Sequence, residues 1–396
     1  MAQSFSYAVQ RLGSALGLTN RDLGLIFSCN LVGSFGDGLF AYLLPLYMTK
    51  TLGADSVQVG ILYAVMSLFA ASTLFLAGML ADRYDRKKIM IAGWVAWLPA
   101  PLIFAFAQNW LQMVPGMIMW GFWLGGPTST AYIIARADRS RLTLTFTTIS
   151  AAWSLGYIFS PATGGYLAEA IGMRSVFFLA SFFYAVACMF LVFIRSQHAT
   201  DRAMHSNKEQ RSFFRLLRTR KLLKLSVFFA SIIFILMMFR PFVPQFLADE
   251  YGYHGVEIGF LGSVAFASSA VLGILLGKLG DRRRRTDAVI VSMFFCAAAL
   301  ALFLLFDQFS VLVIAFLLFG GSYVMWSLMS AVVGPLAPED CSARWISVPQ
   351  TLGMFSSIIA PYVGGVLYAA SRAYPFMVAV VAVLVLALIA LTKILE

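Results

Sequence analysis

The sequence predicts an all-α integral membrane protein whose twelve transmembrane helices form two pseudo-symmetric six-helix bundles. Three observations predict this fold: an apolar composition, long apolar segments at regular intervals, and a repeat that relates the two halves of the chain. The 396 residues are 60% hydrophobic and only 12% charged, whereas soluble domains are roughly 45–50% apolar and about 25% charged. The composition therefore excludes an ordinary soluble domain.

The apolar segments recur along the whole chain and are separated by short polar breaks. A helix needs about 20 apolar residues to cross roughly 30 Å of hydrocarbon, and these segments are long enough. None shows the alternating pattern of a barrel strand, and a helix satisfies its own backbone polar groups in lipid. The predicted spans are 22–48, 57–80, 89–107, 110–134, 145–168, 174–195, 223–248, 257–279, 287–306, 309–333, 346–370 and 373–393.

The basic residues predict the orientation of the chain. Of the 29 Lys and Arg residues, 25 fall on one side, Arg240 lies inside a span, and Lys50, Arg174 and Arg372 fall on the other side. Positive residues stay in the cytoplasm during insertion, so a multi-pass protein of the cell membrane with both termini cytoplasmic is expected. The first span is expected to be a retained signal anchor. The net charge of +11 then reflects topology, and no nucleic-acid partner is expected.

The second half of the chain repeats the first. Asp82 and Asp281 are 199 positions apart, as are Gly78 and Gly277, and the segments SPATGGYL and APYVGGVL are 200 positions apart. Both halves start and end on the same side, so they are parallel repeats, an arrangement typical of secondary transporters. The predicted organisation is an N-terminal bundle over residues 1–195, a cytoplasmic linker over 196–222 and a C-terminal bundle over 223–396.

The segment GMLADRYDRKK, which begins at Gly78, follows the second span. It resembles the hallmark G-x-L-A-D-R-x-G-R-K of the major facilitator superfamily, with Asp85 where Gly is usual. A weaker copy, GKLGDRRRR, follows the eighth span. The resemblance extends over essentially the whole chain and implies that family's fold. It also implies a conformational gate that stabilises the outward-facing state against the eleventh helix. The residues assigned to this gate are Gly78, Asp82, Arg83, Arg86, Gly277, Asp281 and Arg282.

A second motif lies in the fifth span, in the segment AWSLGYIFSPATGG. It resembles the G-x3-G-x3-G-P-x2-G-G motif of drug/proton antiporters in the same superfamily, although two of the glycines are replaced by other small residues. The fourth span also departs from the antiporter pattern, with Met117 where an intramembrane Arg is expected. Small residues equally favour simple helix association, so both interpretations stay open. The matching residues are Gly156, Pro161, Gly164 and Gly165.

Asp37 and Arg240 are the two ionisable residues that lie well inside predicted spans. A charge in the membrane is costly, so each is a candidate functional residue. Asn30 and Ser34 precede Asp37 at spacings of seven and three, which gives the first helix one polar stripe. Three interpretations of Asp37 stay open: a structural ion pair with Arg240, a proton carrier, or a partner for a cationic substrate. Arg240 alternatively anchors an anionic substrate.

Aromatic residues recur in the fourth and tenth spans, which line the central cavity in the superfamily. Trp120 and Trp123 share a face in one, and Tyr323 and Trp326 share a face in the other. Singly, each is explained by packing or lipid contact. Together they indicate a lipophilic or amphipathic substrate held by stacking.

The sequence therefore predicts a proton-coupled secondary transporter that works by alternating access and exports a lipophilic or amphipathic compound by antiport. Uptake symport or lipid transport, with an anionic group held by Arg240, is the alternative. A membrane enzyme and a channel are disfavoured, because neither a catalytic cluster nor a ring of repeated filter ligands is visible. The expected partners are a small molecule, protons and the bilayer, and the protein is expected to work as a monomer. No metal, cofactor or ATP-binding loop is expected.

Overall fold

A computed structural model describes residues 18–138, 141–197, 220–333 and 342–392. In these ranges the regular structure is helical, and the helices account for all twelve predicted spans, numbered α1 to α12. The predicted all-α membrane fold is confirmed. The N-terminal half contains α1 (Arg21–Ala41, Leu44–Leu46 and Tyr47–Thr51), α2 (Ser56–Arg83), α3 (Arg86–Trp97 and Pro99–Phe106), α4 (Trp110–Met113, Val114–Trp120 and Gly125–Arg136), α5 (Leu142–Ile171) and α6 (Met173–Val192).

The C-terminal half follows the same order. It contains α7 (Arg220–Phe239, Arg240–Phe242 and Val243–Glu250), α8 (Gly255–Arg282), α9 (Arg285–Leu305), α10 (Phe309–Val333), α11 (Ser342–Ala370) and α12 (Tyr374–Leu391). Ten of these spans are long and apolar enough to cross a membrane as described. The other two are α4, which is interrupted at residues 121–124, and α5, which is rich in hydroxyl side chains.

Two of the interruptions occupy equivalent positions in the repeat. The regular helix of α1 stops at Tyr42, and that of α7 stops at Arg240. Proline follows each stop, at Pro45 and Pro241, and proline disrupts a continuous helix because it has no backbone N–H. In transporters, interrupted helices of this kind carry binding sites near the middle of the membrane.

The helix contacts also follow the repeat. Helix α1 packs against α5 and α6, and its counterpart α7 packs against α11 and α12. The two halves meet along two equivalent interfaces, α2 with α11 and α5 with α8. The boundaries 1–195, 196–222 and 223–396 stay predictions, since residues 198–219 are outside the described ranges.

Glycines allow the two halves to touch at backbone distance. A β-carbon would lie 2.4 Å from a carbonyl oxygen of the opposite half at Gly60, 2.2 Å at Gly259, 2.1 Å at Gly165 and 2.3 Å at Gly365. These distances are shorter than any real carbon–oxygen contact, so no larger residue fits without separating the helices. The carbonyl oxygens belong, in the same order, to Pro361, Pro161, Gly255 and Ser56.

An ion pair joins the halves at the same end of the molecule. Lys50 Nζ contacts Asp249 Oδ1, and the two residues are 199 positions apart, so they are repeat equivalents facing each other across the pseudo-symmetry axis. The Tyr368 hydroxyl donates to Asp249 Oδ2 at 3.3 Å, and Arg372 donates to the Asp249 carbonyl oxygen at 2.8 Å. We call this end the Lys50 end and the opposite end the Arg86 end.

At the Arg86 end, the comparison among described residues rests on Gly277. Gly277 lies near this end of α8, and a β-carbon there would have no described neighbour within 4 Å. The halves are therefore in close contact at the Lys50 end, whereas this glycine makes no such contact. The orientation predicted from the sequence makes the Lys50 end extracytoplasmic.

Reversing one charge of the Lys50–Asp249 pair is expected to loosen the Lys50 end. In Asp249→Lys, two ammonium groups would repel each other, and a single cysteine at Val57 should react faster with a polar thiol reagent. Exposed ion pairs contribute about 0.2–1 kcal/mol, so we expect an increase of up to about fivefold.

The control is the exchanged pair, Lys50→Asp with Asp249→Lys. Because the two residues are related by the pseudo-symmetry axis, the exchange should bring the labelling rate back toward that of the parent. Equal rates in the single variant and the parent would contradict the prediction.

Candidate functional site around Asp37 and Arg240

The carboxylate of Asp37 is held by three hydrogen-bond donors. Trp120 Nε1 donates to Asp37 Oδ1 at 2.8 Å, the Tyr184 hydroxyl donates to the same oxygen, and the Tyr157 hydroxyl donates to Oδ2. Asp37 is only 3% exposed, so these three side chains replace water around it. The donors come from α4, α5 and α6.

Two glycines beside Asp37 explain how the tyrosines reach it. A β-carbon at Gly38 would lie 1.8 Å from Ser160 Oγ of α5, and one at Gly36 would lie 2.6 Å from the Phe183 side chain of α6. Helices that approach this closely bring short-range polar groups together. The sequence GDG around Asp37 therefore places the carboxylate within reach of hydroxyls on both neighbouring helices.

The donor set suits a negatively charged carboxylate, because an ionised Asp only accepts hydrogen bonds. A protonated Asp37 would itself carry an O–H donor that needs an acceptor. The Trp120 indole cannot accept, whereas a tyrosine hydroxyl can do both. Proton uptake at Asp37 therefore requires Tyr157 or Tyr184 to reorient its hydroxyl hydrogen.

Arg240 lies at the interruption of α7 and is held by neutral groups. Its Nη2 donates to the Ser322 carbonyl oxygen at 2.7 Å and to the Ser322 hydroxyl at 3.2 Å. Its guanidinium carbon lies 4.3 Å from the centroid of the Tyr323 ring, which is the distance of a cation–π contact. The polar contacts of Arg240 are therefore made within the C-terminal half.

Asp37 and Arg240 do not form an ion pair in this structure. The acidic residues in ion pairs between described residues are Asp22, Asp249, Glu250 and Asp287. The structural ion pair that the sequence leaves open is thus not formed in this conformation.

A row of aromatic rings connects the two charged residues across the interface between the halves. The Tyr157 and Phe266 ring centroids are 4.8 Å apart, and those of Phe266 and Tyr323 are 4.7 Å apart. Tyr157 contacts Asp37 at one end of this row, and Tyr323 contacts Arg240 at the other. The row runs through α5, α8 and α10, so it passes from one half of the molecule to the other.

The other predicted cavity residues form none of the bonds to Asp37 or Arg240 described above. They are Asn30, Ser34, Trp123 and Trp326. Ser34 is fully buried and its hydroxyl donates to the Leu31 carbonyl oxygen at 3.1 Å, and Asn30 is half-buried one turn earlier. The Trp123 ring is 36% exposed. The structure therefore joins Trp120 to Asp37 and Tyr323 to Arg240, and the other four make no described bond to either charge.

Trp123 and Trp326 instead belong to two separate aromatic clusters. Trp123 lies 5.4 Å from Trp97 and 6.2 Å from Trp153, measured between ring centroids. Trp326 lies 5.0 Å from Phe229. The first cluster gathers three indoles from α3, α5 and the interruption of α4.

The predicted gate residues are only partly described. The backbone of Gly78 and Asp82 is helical in α2, but the surroundings of Gly78 and the side chain of Asp82 lie outside the described part of the structure. Arg86 Nη1 donates to the Ala131 carbonyl oxygen at 3.1 Å and to Gln197 Oε1 at 2.9 Å. In this conformation Arg86 therefore contacts α4 and the chain after α6, within its own half. The exposed members of the set are Arg83, Asp281 and Arg282.

The motif in α5 lies at close helix contacts. A β-carbon at Gly156 would lie 2.0 Å from Ser34 Oγ, and one at Gly164 would lie 1.9 Å from the Leu39 carbonyl oxygen. Gly165 and the carbonyl of Pro161 face α8 across the interface. Each residue thus has a packing role, toward α1 within the half or toward α8 across it. This geometry supports the helix-association interpretation and does not test the antiporter one.

Sequence reasoning missed Tyr157 and Tyr184. Each is separated from Asp37 by more than a hundred positions, 120 and 147 respectively. The available signals were the position of Tyr157 directly after Gly156 and the glycines flanking Asp37. In the described residues, no group of three or more His, Cys, Asp or Glu side chains could hold a metal ion.

Comparison with curated proteins finds relatives over most of the chain. The chain is 23% identical over 372 residues to "Multidrug resistance protein 2" of Bacillus subtilis (strain 168), covering 90% of both chains. It is 26% identical over 363 residues to "Multidrug resistance protein MdtG" of Serratia proteamaculans (strain 568), covering 88% of this chain and 86% of the relative.

Solved structures share the fold. A mutant of the nucleoside transporter NupG superposes with a TM-score of 0.82 at 15% identity, covering 94% of this chain and 99% of that one. A POT family transporter in complex with 5-aminolevulinic acid superposes with a TM-score of 0.78 at 13% identity, covering 95% and 97%.

A family model agrees with the helix count, the repeat and these likenesses. The model described as "Major Facilitator Superfamily" matches residues 26–242 and 225–396. The two matches together cover nearly the whole chain, one over each half of the repeat. The chain belongs to the Major Facilitator Superfamily.

Proposed function

We propose that this secondary transporter is coupled to protons and exports a lipophilic or amphipathic organic compound by antiport. The observation that carries the proposal is the enclosure of Asp37 by three hydrogen-bond donors, one of which contacts the opposite half. The names of the relatives, multidrug resistance proteins, support export of organic compounds. The site of action is the cell membrane, and both termini are proposed to be cytoplasmic.

Asp37 is the proposed proton carrier. A carrier must release its proton on one side and bind another on the opposite side, and its contacts must differ between the two states. Protonation of Asp37 requires a tyrosine hydroxyl to reorient, and Tyr157 is the candidate because its ring packs against Phe266 of the C-terminal half. A change at Asp37 would thereby alter the interface that moves during alternating access.

Alternating access requires that the two ends of the interface close in turn. At the Lys50 end, the glycine contacts and the Lys50–Asp249 pair are the proposed closed gate of this conformation. At the Arg86 end, Asp82 and Arg83 with their repeat counterparts are the proposed gate of the opposite conformation. A β-carbon at Gly277 would have no neighbour within 4 Å among the described residues, which agrees with a gate that is released in this state.

The cluster of Trp97, Trp123 and Trp153 is the proposed contact for the transported compound. Trp123 is 36% exposed, and indole rings bind flat lipophilic compounds and organic cations by stacking and cation–π contacts. The carboxylate of Asp37 adds a negative charge next to Trp120. These features favour a lipophilic cation or a neutral amphipathic compound.

One observation favours the second candidate, an uptake symporter or lipid transporter for an anionic substrate. Arg240 is held by Ser322 and Tyr323 and contacts no carboxylate in the described part of the chain, so it retains the capacity to bind an anionic group. We rank this second function below antiport because Arg240 is enclosed by packed aromatic side chains, whereas Trp123 is partly exposed.

Purified protein in liposomes provides the test. An imposed pH gradient, acidic inside, is expected to drive accumulation of a fluorescent lipophilic cation such as ethidium, with matching proton release measured by an internal pH dye. Protein-free liposomes are the control. Accumulation that is unaffected by the gradient would contradict proton coupling, and accumulation driven only by the reversed gradient would favour symport.

A further inference from the structure

A small cavity next to Arg240 lies between the two halves of the molecule. The centre of a water-sized sphere can move within ≈ 10 Å³ of it, so the cavity holds one small occupant. Tyr42 of α1 contributes from the N-terminal half, and α7, α8 and α10 contribute the rest. The lining residues used in the argument are Tyr42, Phe239, Arg240, Val243, Phe316 and Tyr323.

Two buried hydrogen-bond donors on residues that line this cavity have no hydrogen-bond partner among the described residues. They are Arg240 Nε and the Tyr42 hydroxyl. A buried donor without an acceptor costs about 1–3 kcal/mol, and native structures usually satisfy such groups with protein, water or a ligand. Two unsatisfied donors in one cavity indicate a bound acceptor.

The charge of Arg240 specifies the acceptor further. The guanidinium is permanently positive, and its described contacts are a carbonyl oxygen, a hydroxyl and an aromatic ring. A buried charge is strongly unfavourable unless an opposite charge compensates it. A negative occupant would satisfy both the donors and the charge, whereas a water molecule would satisfy only the donors.

The small size and apolar walls of the cavity favour an occupant of one atom. Phe239, Val243 and Phe316 form apolar walls, which offer no hydrogen-bond donors to the additional oxygens of a carboxylate or a phosphate. We propose that the cavity binds a small monovalent anion of halide size, such as chloride, between Arg240 Nε and the Tyr42 hydroxyl.

The anion would connect the two halves in the conformation that is closed at the Lys50 end. Tyr42 belongs to the N-terminal half and its ring packs on Gly262 of α8, where a β-carbon would lie 2.7 Å from the ring. Arg240 belongs to the C-terminal half. Separation of α1 from α8 during transport would pull the Tyr42 hydroxyl away from Arg240 and release the anion.

The test measures thermal unfolding of the purified protein in sodium gluconate, with gluconate replaced by chloride or bromide at constant ionic strength. Because a ligand of the folded state raises the unfolding temperature by mass action, we expect a saturable rise with either halide. Bromide bound in crystals should give an anomalous scattering peak in the cavity. Equal unfolding temperatures in chloride and gluconate would overturn the proposal.

Matched variants locate the effect. Tyr42→Phe removes one donor and should raise the half-saturating chloride concentration by about tenfold or more, since a hydrogen bond to a charged group contributes about 1.5–3 kcal/mol. Tyr47→Phe is the control, because the Tyr47 hydroxyl of the same span donates to the Phe104 carbonyl oxygen instead. Equal shifts in the two variants would overturn the proposal. Arg240→Gln should abolish the chloride effect.

Discussion

Asp37→Asn is expected to reduce substrate accumulation driven by a pH gradient to the level of protein-free liposomes, while exchange of substrate down its own gradient continues. Asparagine is close in shape to a protonated aspartate and cannot release a proton, so the coupling step is lost whereas the substrate path is kept. The measurement is ethidium accumulation and ethidium counterflow in the same proteoliposomes. Accumulation of substrate against its gradient by Asp37→Asn would contradict the proton-carrier role.

Two tyrosine variants refine this prediction. Tyr157→Phe and Tyr184→Phe each remove one hydroxyl from Asp37, but only Tyr157 packs against the opposite half. We expect Tyr157→Phe to reduce the number of protons moved per substrate, and Tyr184→Phe to change mainly the pH at which transport is half-maximal. Identical effects of the two variants would contradict a special role for Tyr157.

Gly165→Val is expected to shift the protein toward the conformation that is open at the Lys50 end. The added side chain would meet the Gly255 carbonyl oxygen, because even a β-carbon would lie 2.1 Å from it. Overpacking costs about 1–3 kcal/mol, so the ratio of the two conformers should change by about fivefold or more. Pulsed electron paramagnetic resonance between spin labels at Thr51 and Tyr374, both exposed, would report the change as a longer distance.

The matched control is Gly24→Ala in α1, where a β-carbon has no described neighbour within 4 Å. It should leave the distance distribution unchanged. Asp82→Asn should act in the opposite direction, because it weakens the proposed gate at the Arg86 end. An unchanged Thr51–Tyr374 distance in Gly165→Val would show that the contact between Gly165 and Gly255 does not determine the conformation.

The architecture could be predicted from the sequence because the bilayer imposes a length that apolar segments must match. The repeat was equally visible, since Gly78 and Asp82 recur 199 positions later. Within the candidate site, Asp37 and Arg240 could be identified as functional candidates from the sequence alone, because a charged side chain inside the membrane is energetically costly. The interruption of α4 at residues 121–124 was not predicted, because the apolar run continues through it.

The contacts of the two charges could not be predicted, because they depend on helix rotation and on the distance between helices. A one-residue rotation moves a side chain by about 100° around its helix, so Asp37 facing Arg240 and Asp37 facing Tyr184 look alike in sequence. The deciding feature is the close approach allowed by Gly36 and Gly38. Their role becomes clear only once the neighbouring helices are known.

The Lys50–Asp249 contact has a consequence for how the halves recognise each other. In a symmetric pair of identical halves, the residue on the axis would face its own copy. A pair of N-terminal halves would therefore bring two Lys50 side chains together, and a pair of C-terminal halves would bring two Asp249 side chains together. Like charges in contact are unfavourable, which is a means of rejecting the wrong partner. If the halves were produced as separate chains, this position would favour assembly of one with the other over self-assembly of either.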